Sequence, residues 1–350
     1  MKILIIGGTG FISSYLCHEL VKQKHEVTLF NRGKSRPVLP VPENVRRITG
    51  DRNNSNDLKN TIQGNGLYDA VYDMTAYQGE QSRTAMKTFY GKTGRFIHCS
   101  TVSVYMISNK VRCPITEDQN QKDVMPYFSR NPFGMDYGIQ KRECETILWQ
   151  NHDPENFPVS MLRPTFVSGP GDPTLRDFFW IERIQDGKPL LVPGSGDFSF
   201  QQVSVKDVAK AFASLLDNTG SIGEAYNMAA EEIFTLNEYL SELASMMDQN
   251  PEYVHVHQDV FDRLPFSMSP QGDVFPFNTR RPAIFSLDKI KRDLNYHSTP
   301  FCKWMPDLIH WYLNRYTGHS HGYEDRDSEI KFAEHWSGYQ REMVKEFIHE

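Results

Sequence analysis

The sequence lacks a Cys-x-x-Cys pair, an internal repeat, a low-complexity tract and any apolar run of bilayer-spanning length. Its five cysteines (Cys17, Cys99, Cys113, Cys144, Cys302) are scattered, which excludes a disulfide scaffold and points to reduced thiols. No dense Lys/Arg block is present. With 38 basic and 44 acidic side chains the formal charge is −6, which argues against nucleic acid as the main partner. Met1 leads directly into strand-type residues, so no leader is expected and a cytoplasmic setting is. The pairs His255/His257 and His319/His321 have no Cys or carboxylate cluster beside them, and no metal is expected.

What the chain does have begins at its first residues. The apolar run Ile3–Ile6 stops at Gly7, and helix-type spacing follows at once through Phe11, Ile12, Tyr15, Leu16 and Leu20. A buried strand delivered into a helix through Gly7, Gly8, Thr9 and Gly10 is the form of a phosphate cradle. Glycines let the backbone approach a pyrophosphate, and the free N–H groups at the helix start hold the anion. A second strand, from Glu26 to Asn31, arrives about 20 residues on, where a dinucleotide fingerprint expects one. Its end carries Asn31, Arg32 and Lys34 in place of a carboxylate, which favours NADP over NAD.

Alternating strand and helix patterns continue through residue 165, so the expected fold class is α/β, a doubly wound parallel sheet of Rossmann type. Asp51, with Arg52 beside it, ends the third strand and faces the adenine. Thr75 and Ala76 end the fourth, and Ser100 and Thr101 the fifth. A helix over Tyr137–Asn151 follows, and then a sixth strand ending at Arg163 and Pro164. Beyond Pro164 the pattern changes: a helix near 174–186, a hairpin at 190–196, strands at 203–205 and 225–228, then mainly helix. Residues 1–170 (with 201–232 returning) form the expected dinucleotide domain; 171–200 and 233–350 form a smaller, mainly helical substrate lobe. The last twenty residues read as an amphipathic helix whose aromatic stripe packs on the body.

Tyr137 and Lys141 are four apart on one helix and face the same way. A free phenol titrates near 10, and a lysine ammonium one turn away would lower it toward use as a base. Thr101 or Ser100 could hydrogen-bond the reacting oxygen.

With these residues in view, the chain resembles an extended short-chain dehydrogenase/reductase of the NAD-dependent epimerase/dehydratase type, over residues 1 to about 315. The carrying motifs are Gly7–Ile12, Gly50-Asp51, Thr75-Ala76, Ser100–Tyr105, Tyr137-Gly138-Ile139-Gln140-Lys141, Leu162–Thr165, Val205–Ala209 and Ser286–Lys289. The resemblance implies a Thr101/Tyr137/Lys141 triad, with Lys141 also on the nicotinamide ribose and Pro164-Thr165 flanking the nicotinamide. It also implies a small-molecule substrate near Thr101, Val102, Tyr77 and Phe200, and dimerisation through the helices at 80–90 and 137–151.

The chain departs from the family at several positions. Ser13 stands for the third glycine. No asparagine lies between Asn65 and Asn109 to serve a proton relay. Val102-Ser103 replaces the Asp-Glu of sugar dehydratases. Phe200 occupies the position, seven residues before Asp207, of the arginine that grips a nucleotide phosphate, unless Arg163, Arg176 or Arg183 substitutes. This profile is closest to members labelled epimerases, isoflavone-type reductases or chloroplast mRNA-binding proteins. Hydride transfer on a sugar-like or carbonyl substrate is the first expectation. The alternatives are an RNA-binding scaffold, with Arg280-Arg281 and Lys289–Arg292 as its basic patch, and a reductase of aromatic carbonyls, with Phe133, Phe178, Phe179, Trp180, Phe198 and Phe200 as an apolar pocket.

Overall fold

The computed structural model describes residues 1–63, 66–127, 134–261, 263–264, 275–279 and 281–348. The first half alternates strand and helix: β1 (Lys2–Ile6), α1 (Phe11–Lys22), β2 (Glu26–Asn31), β3 (Arg46–Thr49), α2 (Ser55–Asn60), β4 (Ala70–Asp73), α3 (Gly79–Phe89), β5 (Phe96–Cys99), α4 (Ser103–Met106), α5 (Met135–Gln150) and β6 (Val159–Pro164). Near-continuous apolar runs form these strands because both faces of the sheet are covered; Ile3, Leu4 and Ile5 are fully buried on β1.

The second half runs β7 (Phe166–Ser168), α6 (Arg176–Gln185), β8 (Leu190–Pro193), β9 (Ser199–Phe200), β10 (Gln202–Ser204), α7 (Val205–Ser214), β11 (Ala225–Met228), β12 (Phe234–Thr235), α8 (Leu236–Met246), β13 (Tyr253–Val256), α9 (Gln258–Phe261), α10 (Asp288–Leu294), α11 (Phe301–Arg315) and α12 (Arg326–Phe347). Seven strands form one parallel sheet in the order β11-β6-β5-β4-β1-β2-β3. The chain leaves β1 in one direction through β2 and β3 and returns to β4 on the other side. That reversal opens a crevice at the carboxyl ends of β1 and β4, where α/β sheets bind ligands. The doubly wound fold and the helical C-terminal region are as expected.

Two kinds of core hold the molecule. Aliphatic side chains of β1, β2, α1 and α7 pack on one face of the sheet, and α2, α3 and α5 cover the other. A separate core joins α6, α8, α11, β8 and β13 and is dominated by aromatic rings.

Here the structure differs from the local reading. The stretch at 190–196 forms no hairpin: β8 pairs in parallel with β13, more than 60 residues away, and β9 pairs with β12. A strand therefore interrupts the helical region at Tyr253–Val256. Only the first half of α12 packs on the body, through Ala333, Phe332 and Trp336. The outer residues Tyr339, Met343 and Phe347 are exposed, Phe347 to 76%. No described helix is long and apolar enough to cross a membrane.

Candidate active site

The crevice is floored by the turn after β1. Gly7 and Gly8 have φ of +116° and +88°, and a Cβ on them would lie 2.9 Å from Thr75 Cγ2 and 2.4 Å from Leu29 Cδ2. Only glycine fits either position. Helix α1 then starts at Gly10 with no side-chain cap and no acidic residue in its first turn, which leaves its N–H groups and positive end for an anion. Thr9 and Phe11 are half-buried beside it, and Ile12 packs toward the core. Ser13, in the third-glycine position, is 5% exposed and donates to Gly10 O at 3.4 Å. The cradle thus suits a dinucleotide pyrophosphate, the group its shape implies.

At the end of β2, Asn31 ties the strand to the turn: its Nδ2 donates to Gly7 O at 3.0 Å and its Oδ1 accepts from Gly33 N at 2.9 Å. Arg32, Lys34 and Arg36 are exposed beyond it. Val38 N donates to Thr9 O at 3.2 Å, and a Cβ on Gly171 would lie 2.3 Å from Val38 Cγ1, so the segment after β2 crosses the glycine turn. Asp51 Oδ1 accepts from Asn53 N at 2.9 Å. Arg52 is committed elsewhere. Its buried guanidinium pairs with Asp73 (2.5 and 3.1 Å) and donates to Gln81 O at 3.0 Å.

The reacting side of the crevice is built by β4, β5 and α5. The buried residues of α5 recur at helical spacing (Met135, Gly138, Lys141, Cys144, Glu145, Leu148), which puts Lys141 and Glu145 on the inward stripe. Gly138 lets the helix approach α4. A Cβ there would lie 2.7 Å from Ser103 O and 2.5 Å from Ile107 Cγ2.

Lys141 is 2% exposed, and its Nζ donates to Ala76 O at 2.8 Å and Cys99 O at 2.6 Å. One turn away Tyr137 is 39% exposed, with its ring 6.4 Å from that of Tyr77. Lys141 Nζ lies 5.9 Å from the centre of the Tyr77 ring. Desolvation, reinforced by Cys99 and Tyr77, raises the Tyr137 phenol above its usual range, while the Thr101 hydroxyl and Arg176 act in the lowering direction. Desolvation also lowers the Lys141 ammonium below its usual range.

The fifth-strand hydroxyls divide cleanly. Ser100 Oγ donates to the buried Glu145 carboxylate at 2.5 Å, so it belongs to a structural network. Arg163 grips Glu145 with both arms (2.7 and 2.8 Å) and reaches Tyr105 Oη at 2.6 Å. Thr101 faces the crevice, with Ser103 N donating to its Oγ1 at 3.2 Å. Val102 is buried at its side, and Thr165 donates to Gln201 O at 2.9 Å just past Pro164.

Phe200 is a core side chain. It is fully buried and stacked on Phe277 with centroids 4.9 Å apart. Phe178, Phe179 and Trp180 are likewise core residues, Phe198 is exposed, and Phe133 lies outside the described residues. The aromatic set is therefore a packing cluster and gives no support to an apolar substrate pocket.

Of the three arginines that could replace the phosphate-gripping one, Arg163 and Arg183 are buried in ion pairs with Glu145 and Glu329. Arg176 remains, donating to Thr174 Oγ1 at 2.8 Å and lying over Phe166 at 5.4 Å. The basic patch is also neutralised from within: Lys289 pairs with Glu224, Lys291 with Glu231 and Arg292 with Asp293, while Arg281 donates to Ser108 O and Met106 O. Arg280 lies outside the described residues.

Two members of the site escape sequence reasoning: Glu145, and His98 on β5, fully buried with Nε2 3.3 Å from Lys141 Nζ. A polar residue inside the apolar run Phe96–Cys99 is the signal that could have found His98.

Comparison with known proteins agrees with this fold. The family model described as NAD dependent epimerase/dehydratase family matches residues 3–229. A chloroplast stem-loop binding protein of 41 kDa from Arabidopsis thaliana is 29% identical over 310 residues, 84% of this chain and 74% of that protein. A UDP-N-acetyl-alpha-D-glucosaminuronate decarboxylase from Bacillus cytotoxicus is 25% identical, covering 89% of this chain and 97% of its own length. Among solved structures, the UDP-glucuronic acid 4-epimerase of Bacillus cereus in complex with NAD shares the fold, with a TM-score of 0.70 at 20% identity over 91% of this chain and all of that one. With its glycine turn, parallel sheet and Tyr–Lys helix, the chain belongs to the NAD dependent epimerase/dehydratase family, as an enzyme of its oxidoreductase type.

Proposed function

We propose that the protein catalyses hydride-transfer chemistry at a carbinol or carbonyl carbon of a small sugar-like or carbonyl substrate, with Tyr137 moving the hydroxyl proton. The carrying observation is the exposed Tyr137 side chain near Thr101, one turn of α5 from the buried Lys141. The dinucleotide, when bound, supplies or accepts the hydride. Gly7, Gly8, Thr9, Gly10 and Phe11 would hold its pyrophosphate, Asp51 its adenine, and Thr75, Ala76, Pro164 and Thr165 would flank its nicotinamide. Thr101 orients the substrate oxygen, Tyr137 donates to it, and Tyr77 closes one wall.

NADP is the preferred cofactor in this reading. Asn31 carries no charge and is engaged with Gly7 and Gly33, while Arg32, Lys34 and Arg36 offer cations to a 2′-phosphate. The same reading includes the two-lobe division at residues 170–171, 200–201 and 232–233, a cytoplasmic setting and a dimer through α3 and α5, which sedimentation would test.

NADPH consumption with a panel of small carbonyl compounds, wild type against Tyr137→Phe, tests the assignment. A loss on the order of a thousandfold is expected. Full activity in Tyr137→Phe would refute it.

A further inference from the structure

Lys141 presents three N–H bonds, and all three have acceptors within the protein: Ala76 O at 2.8 Å, Cys99 O at 2.6 Å and His98 Nε2 at 3.3 Å. An ammonium can only donate, so His98 Nε2 must offer its lone pair and the ring proton must sit on Nδ1. That Nδ1 is buried, with no hydrogen-bond partner among the described residues. A fully buried imidazole thus leaves one polar atom unmatched while turning the other toward the lysine.

Among the described residues, the neighbouring charges give Lys141 no carboxylate of its own. Asp73 on β4 is held by Arg52, and Glu145 on α5 by Arg163. The remaining titratable groups facing the pair are Cys99, Cys144, Tyr77 and Tyr137. Desolvation, with the charges of Lys141 and Arg52 after it, holds His98 far below its usual titration range, so the ring stays a neutral acceptor.

From this arrangement we infer that His98 is a positioning residue: its Nε2 parks the Lys141 ammonium between β4 and β5 and gives up that N–H when the dinucleotide binds. The inference rests on Lys141 being the cofactor-side cation of the reading above. The His98 contact is the longest of the three, at 3.3 Å against 2.8 and 2.6 Å. It is therefore the contact exchanged when Lys141 turns toward a ribose hydroxyl.

Two measurements on the full-length protein test it. In long-range 1H–15N spectra of histidine-labelled protein, His98 should show a protonated Nδ1 and an acceptor Nε2, unchanged from about pH 6 to about pH 9. Lys141→Met should shift Nε2 toward the value of a free lone pair. Titration of His98 in that range, or a resonance indifferent to Lys141→Met, overturns the inference without any assay of turnover.

In calorimetry with NADPH as the probe, His98→Phe frees the exchanged N–H beforehand, so binding should tighten severalfold, up to about tenfold. His98→Gln, which restores an acceptor, should return to the wild-type affinity. Weaker or unchanged binding in His98→Phe overturns the exchange, since damage to packing alone would only weaken it. If His98→Phe fails to fold, the spectra of wild type and Lys141→Met decide. If Tyr137→Phe kept full activity, the catalytic reading would fall while the spectra still reported the His98–Lys141 bond.

Discussion

Lys141 in the crevice and Arg183 in the C-terminal region are buried to nearly the same degree, at 2% and 1% exposed, and they are treated in opposite ways. Arg183 is matched in charge. Glu329 on α12 accepts from it at 3.0 and 2.6 Å, Ser320 Oγ accepts at 2.9 Å, and its guanidinium lies 3.6 Å from the centre of the Phe179 ring. Arg326 adds a second cation on Glu329 and reaches Asp186, clamping α12 to α6. Lys141 has two carbonyls and an imidazole and, among the described residues, no counter-ion. A buried charge with a complete shell of counter-charge holds elements together. A buried charge given only neutral acceptors can still be drawn toward an incoming ligand, and it is costly enough that packing alone would not retain it.

Removing the counter-ion should damage the clamp most. Glu329→Ala leaves the buried Arg183 without its carboxylate and Arg326 with Asp186 alone, and a loss of about 3–5 kcal/mol in unfolding free energy by denaturant titration is expected. A loss below 1 kcal/mol would mean that the clamp is not structural.

The next effect concerns Asp177 on α6, a buried carboxylate of the same region that has a hydroxyl partner, Tyr239 Oη at 2.7 Å, and, among the described residues, no cation paired to it. Desolvation by burial raises it from 3.8 to about 6. The folded state thus binds this proton more tightly than the unfolded chain. Its contribution favours folding at acid pH and is lost as pH rises from about 4 to about 6. Asp177→Asn should add about 3 kcal/mol at pH 8 and little near pH 4. Equal changes in melting temperature at both values would refute the assignment.

A smaller effect belongs to the exposed cations after β2. Arg32→Ala should weaken NADPH binding by about tenfold in calorimetry and leave NADH nearly unchanged. Parallel losses would remove the basis for NADP preference.

The smallest change is expected for the stability of Lys141→Met. An apolar side chain trades a desolvated charge for unmatched carbonyls, so unfolding free energy should stay within about 1 kcal/mol of wild type. A loss as large as that of Glu329→Ala would erase the contrast between the two cations.

The same contrast explains what could be read from the chain alone. β1, α1 and β2 are adjacent in sequence and in space, and their glycines and apolar runs state their roles locally. The Tyr137–Lys141 helix was legible for the same reason, one turn being enough to bring the two together. β8 was not: its partner is β13, and nothing near Leu190 announces a parallel strand at Tyr253. The aromatic run Phe178–Trp180 looks the same whether it lines a pocket or fills a core, and the neighbours that decide the matter come from α11 and from Phe275. Arg52, Ser100 and Arg163 carried the right chemistry for ligands, yet each is consumed by an acid distant in sequence: Asp73 for the first and Glu145 for the other two.

Gly138 bears on anyone who sets out to reshape this enzyme by random mutagenesis. Any larger residue there must push α5 off α4 at Ser103 O, and with it the adjoining Tyr137. A saturation library scored on turnover would rank it beside Tyr137. A thermal-shift screen run in parallel would reveal the difference, because an alanine there strains the packing of two helices and the phenylalanine variant of the tyrosine does not.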